Sequence, residues 1–198
     1  WEHIRISKQE IFEKTSIKPA LIMLLLCFSY GCTITLAPDL SDEVGIHNKG
    51  LFFAMFTITS LLVRLVANKS SDKHGRIIVL IYSVLILVIS LFVLAFAHNV
   101  FMVMLGAAIF GVSWGTVGPT ITAWTVDLCA FENRGRAIGS MYIALEAGIG
   151  TGAFFSAWIY QNQLNNMVWA FLLSAVLAVL AFVFLLLWRK KETQMRMV

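Results

Sequence analysis

Six long apolar segments dominate this sequence, and short polar stretches separate them. The segments lie at about 19–38, 50–68, 77–97, 101–125, 137–160 and 167–188. A helix needs about 20 mostly apolar residues to cross the hydrocarbon core of a bilayer. Within that core each segment can satisfy its own backbone hydrogen bonds only as a helix. The sequence therefore predicts an all-α membrane protein with six transmembrane helices, numbered 1 to 6 in chain order, in one bundle over 19–188.

The composition supports the same class. Hydrophobic residues make up 59% of the chain and charged residues 13%, against about 45–50% and about 25% in an ordinary soluble domain. The net charge of +4 does not indicate nucleic-acid binding, because the charges lie beside the apolar segments. No metal-ligand cluster, phosphate loop or nucleophile triad is present in the sequence, so we expect no cofactor and no enzyme activity. Cys27, Cys32 and Cys129 are expected to be free thiols.

Lysine and arginine are distributed very unevenly between the two predicted sides of the membrane. Fourteen of the 15 basic residues fall on one side, and only Lys49 falls on the other. Because basic residues are retained in the cytoplasm, we expect both termini to be cytoplasmic in a plasma (inner) membrane. Residues 1–18 are then a cytoplasmic linker tail, or a short interfacial helix, and residues 189–198 are a cytoplasmic tail.

The six predicted helices differ in polarity in a repeating order. Helices 3 and 6 contain few polar residues, whereas helices 1, 2, 4 and 5 carry several hydroxyl groups each. A helix that is apolar on all sides can face lipid. The order predicts two inverted three-helix repeats, with helices 3 and 6 at the periphery and the other four around an aqueous path.

A short basic loop joins helices 2 and 3, and it carries the first family motif. Its residues Asp72, Lys73, Gly75 and Arg76 match the pattern Gly-x-x-x-Asp-Arg/Lys-x-Gly-Arg of the major facilitator superfamily (MFS) of transporters, and Arg64 matches an arginine often found upstream. Asn68 replaces the leading glycine, which loosens close helix packing there. Further matches lie in helix 4, in the loop after it and in helix 5; they comprise Gly111, Gly115 and Pro119, then Arg134 and Arg136, then Glu146, Gly148 and Gly152.

Together these motifs resemble the C-terminal six-helix half of an MFS transporter, most like the drug/proton-antiporter efflux members. The resemblance implies that the cytoplasmic loop residues gate the rocking of the helix bundles; these are Arg64, Asp72, Lys73, Gly75, Arg76, Arg134 and Arg136. Small residues permit close helix approach, and proline permits a kink. We therefore expect Gly111, Gly115, Gly118, Pro119, Gly148 and Gly152 to serve helix packing.

Glu146 is the candidate for proton coupling or substrate binding. It lies ten residues beyond Arg136, which places it roughly 15 Å inward on a helix, near the middle of the membrane. A carboxylate at that depth is costly unless it faces a cavity, forms a pair or is protonated. The alternative is a neutral structural glutamic acid that bonds a neighbouring helix. Tyr142 shares its face, and Tyr30, Thr33 and Trp114 are further candidates for the substrate path.

These features predict transport of a small molecule across the lipid bilayer by alternating access, with proton-coupled efflux as the first hypothesis. An importer of a sugar, organic anion or nutrient is the alternative within the family. A membrane scaffold or fragment without transport activity is the alternative from another class. Six helices provide only one wall of the usual cavity, so the partner of this chain is expected to be an N-terminal six-helix half, covalent or separate.

Overall fold

The structure is a computed structural model that describes residues 13–67 and 70–196. Six long helices carry the fold; they are α1 (Ile17–Glu43), α2 (Gly50–Ala67), α3 (Arg76–Ala95), α4 (Val100–Asp127), α5 (Arg134–Tyr160) and α6 (Leu164–Arg196). A one-turn helix, Ser70–His74, precedes α3. The all-α class and the six predicted helices are confirmed. Of the predicted linker tail over 1–18, residues 1–12 lie outside the described residues, as does Asn68; Lys14–Ser16 form a short 3-10 turn, and α1 begins at Ile17.

Two helices run well beyond their predicted ends. Helix α1 continues past Pro38 to Glu43, because a proline removes only one backbone hydrogen bond from a helix whose neighbours hold it in place. Helix α6 continues to Arg196, although the apolar run ends at Trp188. Apolar length gives the membrane-crossing part of a helix and does not mark where its backbone bonds stop.

Five of the helices are long and apolar enough to cross a membrane, within the described residues. The exception is α2, whose apolar part covers only Gly50–Leu65. Arg64 and three hydroxyl residues interrupt the apolar character of this helix. Helix α2 is thus the shortest of the six, and its last turn brings a cation to the end of the bundle.

The helix contacts follow an inverted repeat. When helices α1, α2 and α3 of the first repeat are matched with α4, α5 and α6 of the second, the contact α1–α5 corresponds to α4–α2. The contact α1–α6 likewise corresponds to α4–α3. The two outer helices α3 and α6 pack against each other across the repeat axis. Helix α5 also packs against α6, whereas α2 and α3 barely touch. The four helices α1, α2, α4 and α5 therefore form one layer of the bundle, and α3 and α6 form the other.

Glycines bring helices of the first layer into backbone contact at two crossings. A β-carbon on Gly148 or Gly152 of α5 would overlap the carbonyl of Leu24 or Phe28 of α1, and one on Gly31 would overlap Ile149. At the other crossing, β-carbons on Gly111 and Gly115 of α4 would meet the backbone of α2. Four of the predicted packing glycines thus lie at helix contacts. Gly118 has open space around it instead.

Hydroxyl groups connect the two layers. On one side Ser90 donates to the carbonyl of Gly106 over 2.9 Å, and Ser113 donates to the carbonyl of Ser83 over 2.8 Å. On the other side Ser29 donates to the carbonyl of Ser174 over 3.3 Å. Much of the polar content of α1 and α4 is therefore used for packing against α6 and α3 rather than for an aqueous path.

The end of the bundle at which α1 begins and α4 ends is called the basic end below. It carries Arg64, Arg76, Arg134 and Arg136, and α6 reaches it with Arg189 and Lys190. Lys49 lies at the opposite end, in the loop between α1 and α2. The helices thus alternate in direction, as six successive membrane crossings require.

Candidate functional site: a cavity between four helices

A cavity of about 460 Å³ lies between α1, α2, α4 and α5. Its lining residues are Met23, Cys27, Tyr30, Phe56, Arg64, Trp114, Gly118, Pro119, Thr122, Met141, Tyr142, Leu145 and Ile149. None of them comes from α3 or α6, so the predicted placement of those two helices away from the central path agrees with the structure. The size is that of a site for a drug-sized small molecule.

The cavity occupies the half of the bundle nearer the basic end. Met23, Arg64 and Thr122 each lie within about 10 Å of the basic end of their helices, at 1.5 Å per residue. Tyr30 and Trp114 lie about 20 Å from that end. The cavity therefore has a mouth near the basic end, formed by Arg64 among others, and a deep end formed by aromatic rings.

The deep end is bordered by four rings, here called the aromatic cluster, from Tyr30, Phe56, Phe110 and Trp114. The Tyr30 and Trp114 rings meet edge to face with centroids 4.9 Å apart. Phe110 stacks on Tyr30 at 6.2 Å and lies 5.5 Å from Phe56. Aromatic pairs at such distances attract one another beyond the effect of area burial alone. The cluster joins α1, α2 and α4 across the bundle at the point where the cavity stops.

Trp114 has a buried donor without an acceptor. Its side chain is mostly buried, and its Nε1 atom has no hydrogen-bond partner among the described residues. Buried polar groups in proteins are nearly always paired. Trp114 therefore lines the cavity with an aromatic ring and keeps an indole N–H that no described oxygen satisfies.

Glu146 lies at the rim of the cavity rather than in its lining. It is in the middle of α5 and is exposed on this chain. At 100° per residue it lies about 40° around the helix from Tyr142 and about 60° from Ile149, both of which line the cavity. No hydrogen bond or ion pair joins Glu146 to another residue in the part of the chain that the structure describes. Glu146 thus lies about 18 Å along α5 from the basic end, and its side chain lies beside the cavity.

Thr33 lies away from the cavity, contrary to its predicted place on the substrate path. It is buried and donates to the carbonyl of Ser29 over 2.8 Å. The cavity face of α1 runs through Met23, Cys27 and Tyr30, and Thr33 is turned about 60° from Tyr30. Its hydroxyl is therefore satisfied within α1.

The basic end is held together by side chains around Arg76. Its Nε donates to Asp127 Oδ2 over 2.8 Å, and a terminal nitrogen donates to Ser71 Oγ over 2.7 Å. These bonds connect the loop before α3 to the last residue of α4. Asp127 was not among the predicted residues, since a single acidic residue at a helix end carries no motif. The Asp72 side chain lies outside the described residues.

The other predicted loop residues have separate environments. Gly75 precedes α3 with φ of 90°, which favours glycine, and Lys73 is exposed. The Arg134 guanidinium lies 5.1 Å from the Phe131 ring centroid, and Arg136 donates to Asn133 Oδ1. These residues shape the loop ends, and of the described side chains in the predicted loop set Arg64 is the one that lines the cavity between the four helices.

The fold is that of an integral membrane protein built from an inverted repeat of three helices. The sequence model of the Major Facilitator Superfamily matches residues 20–196, and the chain belongs to that family. The predicted family and the absence of an enzyme role are thereby confirmed, because the family and the relatives below are transporters.

Curated relatives include two drug-resistance proteins. Multidrug resistance protein 1 of Bacillus subtilis (strain 168) is 28% identical over 177 residues, which cover 85% of this chain and 46% of that protein. Quinolone resistance protein NorA of Staphylococcus aureus (strain Mu50 / ATCC 700699) is 23% identical over 165 residues, which cover 80% of this chain and 41% of NorA. The chain thus spans less than half the length of these relatives.

Solved structures share the fold. The POT family transporter PepTSo matches with a TM-score of 0.71 at 19% identity, over 89% of this chain and 37% of that one. An auto-inhibited POT family peptide transporter matches with a TM-score of 0.70 at 19% identity, over 90% of this chain and 37% of that one. These similarities support the helix arrangement and indicate no substrate.

Proposed function

We propose that this chain is the C-terminal six-helix half of a proton-coupled exporter of amphipathic small molecules, working by alternating access. The observation that carries the proposal is the cavity whose described lining residues all come from α1, α2, α4 and α5. Its walls combine aromatic, aliphatic and a few polar groups, as sites for drug-sized molecules do. An N-terminal half would supply the facing wall, which agrees with the length of the curated relatives.

In this proposal the basic end faces the cytoplasm, because cytoplasmic loops retain basic residues. A molecule then enters from the cytoplasm or inner leaflet and reaches the aromatic cluster about 20 Å inside. The cluster blocks further passage in this conformation. Rocking of the two halves would close the mouth and open the far side, in the manner typical of inverted-repeat transporters.

Glu146 is the proposed proton-coupling residue. It lies at mid-membrane depth beside Tyr142, and no partner in the described residues neutralises its charge. A carboxylate so placed is costly when the facing half covers it, and protonation removes that cost. Binding of a proton in one conformation and its release in the other would couple the gradient to transport.

The test is proton-gradient-driven flux in everted vesicles containing the full-length transporter. Glu146→Gln should abolish gradient-driven flux, because an amide cannot exchange a proton, while Glu146→Asp keeps part of it. Glu43→Gln is the matched control, since Glu43 is an exposed carboxylate at the far end of α1, and its flux should match the wild type. Wild-type flux from Glu146→Gln would exclude Glu146 from coupling and favour a structural role.

A further inference from the structure

We propose that Arg64 binds an anionic group of the substrate, so that the cavity prefers an elongated aromatic molecule carrying a carboxylate. This inference rests on the proposed function, because it names the substrate class of the same cavity. It begins from one contrast among the arginines of the basic end. Arg76, Arg134 and Arg136 each have a defined partner within the protein.

Arg64 has no such partner among the described residues. It lines the cavity between the four helices and also a small adjoining cavity next to Pro119. No hydrogen bond or ion pair joins it to the part of the chain that the structure describes. A guanidinium presents its donors in a planar fork that fits a carboxylate with two parallel bonds. Arg64 is therefore a cation at the cavity mouth whose donors no described residue occupies.

The charges around the cavity favour an anion at this position. Among the described residues that line the cavity, Arg64 is the only lysine, arginine, aspartate or glutamate. Glu146 lies at the rim and deeper, nearer the aromatic cluster, about 18 Å from the start of α5. Unlike charges attract and like charges repel, so an anionic group would be held at the mouth beside Arg64 rather than deeper, where an ionised Glu146 would repel it.

The same helix sets the length of the molecule. Phe56 of the aromatic cluster and Arg64 both line the cavity from α2, and eight residues of helix separate them by about 12 Å. An aromatic ring system at the cluster and a carboxylate at Arg64 are thus joined by a linker of a few bonds. Trp114 adds an unpaired indole N–H at the aromatic end, which favours ring systems that carry a hydrogen-bond acceptor.

The test compares two fluorescent probes that differ in charge alone. Pyrenebutanoic acid and its uncharged amide are titrated against the full-length transporter in nanodiscs of zwitterionic lipid, with tryptophan emission as the readout and empty nanodiscs as the blank. The wild type should bind the acid more tightly than the amide. Arg64→Gln should weaken binding of the acid about tenfold, since a charge-assisted hydrogen bond is lost, and should change binding of the amide less than about twofold.

Two further variants make the result specific. Arg64→Lys should recover part of the preference for the acid, because it retains the charge but not the planar fork. Lys190→Gln removes a basic residue from the same end of the bundle without touching the cavity, and it should leave both affinities unchanged. If Arg64→Gln fails to fold, the wild-type ratio of acid to amide and the lysine variant still decide the matter.

Three outcomes would overturn the inference. Equal binding of acid and amide by the wild type would show that no anion site exists. Equal weakening of both probes by Arg64→Gln would show that Arg64 serves the protein itself, for example by pairing with a carboxylate of the facing half. If Lys190→Gln weakened binding of the acid as much as Arg64→Gln does, the preference for the acid would come from the general surface potential and not from a site at Arg64.

Vesicle flux separates this inference from the proposed function. If the acid binds as expected but no proton gradient moves either probe, proton-coupled export is wrong and the anion site stands. If the gradient moves both probes equally and Arg64→Gln changes neither flux, export stands and the anion site is wrong.

Discussion

The two close helix crossings of the inner layer, α1–α5 and α2–α4, occupy equivalent places in the repeat but are built differently. At α1–α5 glycines lie on both helices, with Gly31 on α1 and with Gly148 and Gly152 on α5. At α2–α4 both glycines, Gly111 and Gly115, lie on α4. Helix α2 offers Thr59 and Ser60 to this contact instead.

Both crossings lie at the level of the deep end of the cavity. The α1–α5 contact is reciprocal, and its glycines Gly31, Gly148 and Gly152 lie about 20–27 Å from the basic end. The α2–α4 contact stops after Gly115, and the next residues on that side of α4, Gly118 and Pro119, line the cavity. All four helices of the inner layer line the cavity, so the open space lies on the basic-end side of both crossings.

The largest expected effect tests the reciprocal crossing. Gly152→Ala should lower the free energy of unfolding by about 3 kcal/mol, because the new methyl group overlaps three backbone atoms of Phe28 and rigid backbone cannot move aside. Thermal unfolding of the purified protein measures it. Gly139→Ala on the same helix meets open space and should be neutral or slightly stabilising. Equal stability of the two variants would contradict the close crossing.

A smaller effect is expected at the one-sided crossing. In Gly115→Ala the methyl carbon would lie 2.7 Å from the Ser60 carbonyl oxygen and 3.2–3.3 Å from its other neighbours. Only one of these contacts is severe, so the cost should be about 1–2 kcal/mol. Gly118→Ala meets no atom within 4 Å and is the matched control for stability. A cost at Gly115 above that at Gly152 would reverse the comparison.

The smallest effect concerns the loop that connects α1 of one crossing to α2 of the other. Lys49 Nζ lies 2.6 Å from Asp42 Oδ2, and both side chains are about half exposed. The hydrogen bond to Asp42 raises the pKa of Lys49 above its ordinary value of 10.5. The pair therefore contributes below that ordinary pKa and its contribution is lost as pH rises through the raised value.

Because water and salt screen this exposed pair, Lys49→Gln should leave the melting temperature near neutral pH within error. The wild type should lose a little stability as the pH rises through the pKa of Lys49, and the variant should not show this loss. Melting curves of the wild type and the variant across the alkaline range measure both effects. A clear drop in melting temperature at neutral pH would mean that the loop orients the two crossings relative to each other.

The number and order of helices could be predicted from the sequence, because a membrane helix is specified by length and apolar content. The packing glycines were also predictable, since Gly111, Gly115, Gly148 and Gly152 follow a spacing that aligns them on one helix face. The ends of α1 and α6 were not, because the polar residues beyond each apolar run continue the helix in water. Composition indicates where a segment leaves the lipid, but it does not indicate where the backbone hydrogen bonds of the helix end.

The cavity was predictable only in part. Tyr30, Trp114, Tyr142 and Arg64 line it, but Thr33 does not. A mostly apolar helix shows little difference between its faces, so the sequence could not indicate which hydroxyl groups turn inward. Phe56 and Thr122 were missed for the same reason. The pairing of Arg76 with Asp127 joins residues 51 positions apart, and a single sequence does not show which helix ends meet.

The unpaired indole nitrogen of Trp114 has an energetic consequence for the aromatic cluster. A buried donor without an acceptor costs about 1–3 kcal/mol, so the closed cluster is less stable than the packing of its four rings alone would make it. Any rearrangement that offers the N–H an oxygen recovers that amount. A difference of about 1.4 kcal/mol changes a population tenfold, so in the proposed transport cycle this one nitrogen atom would favour conformations in which the deep end of the cavity is open.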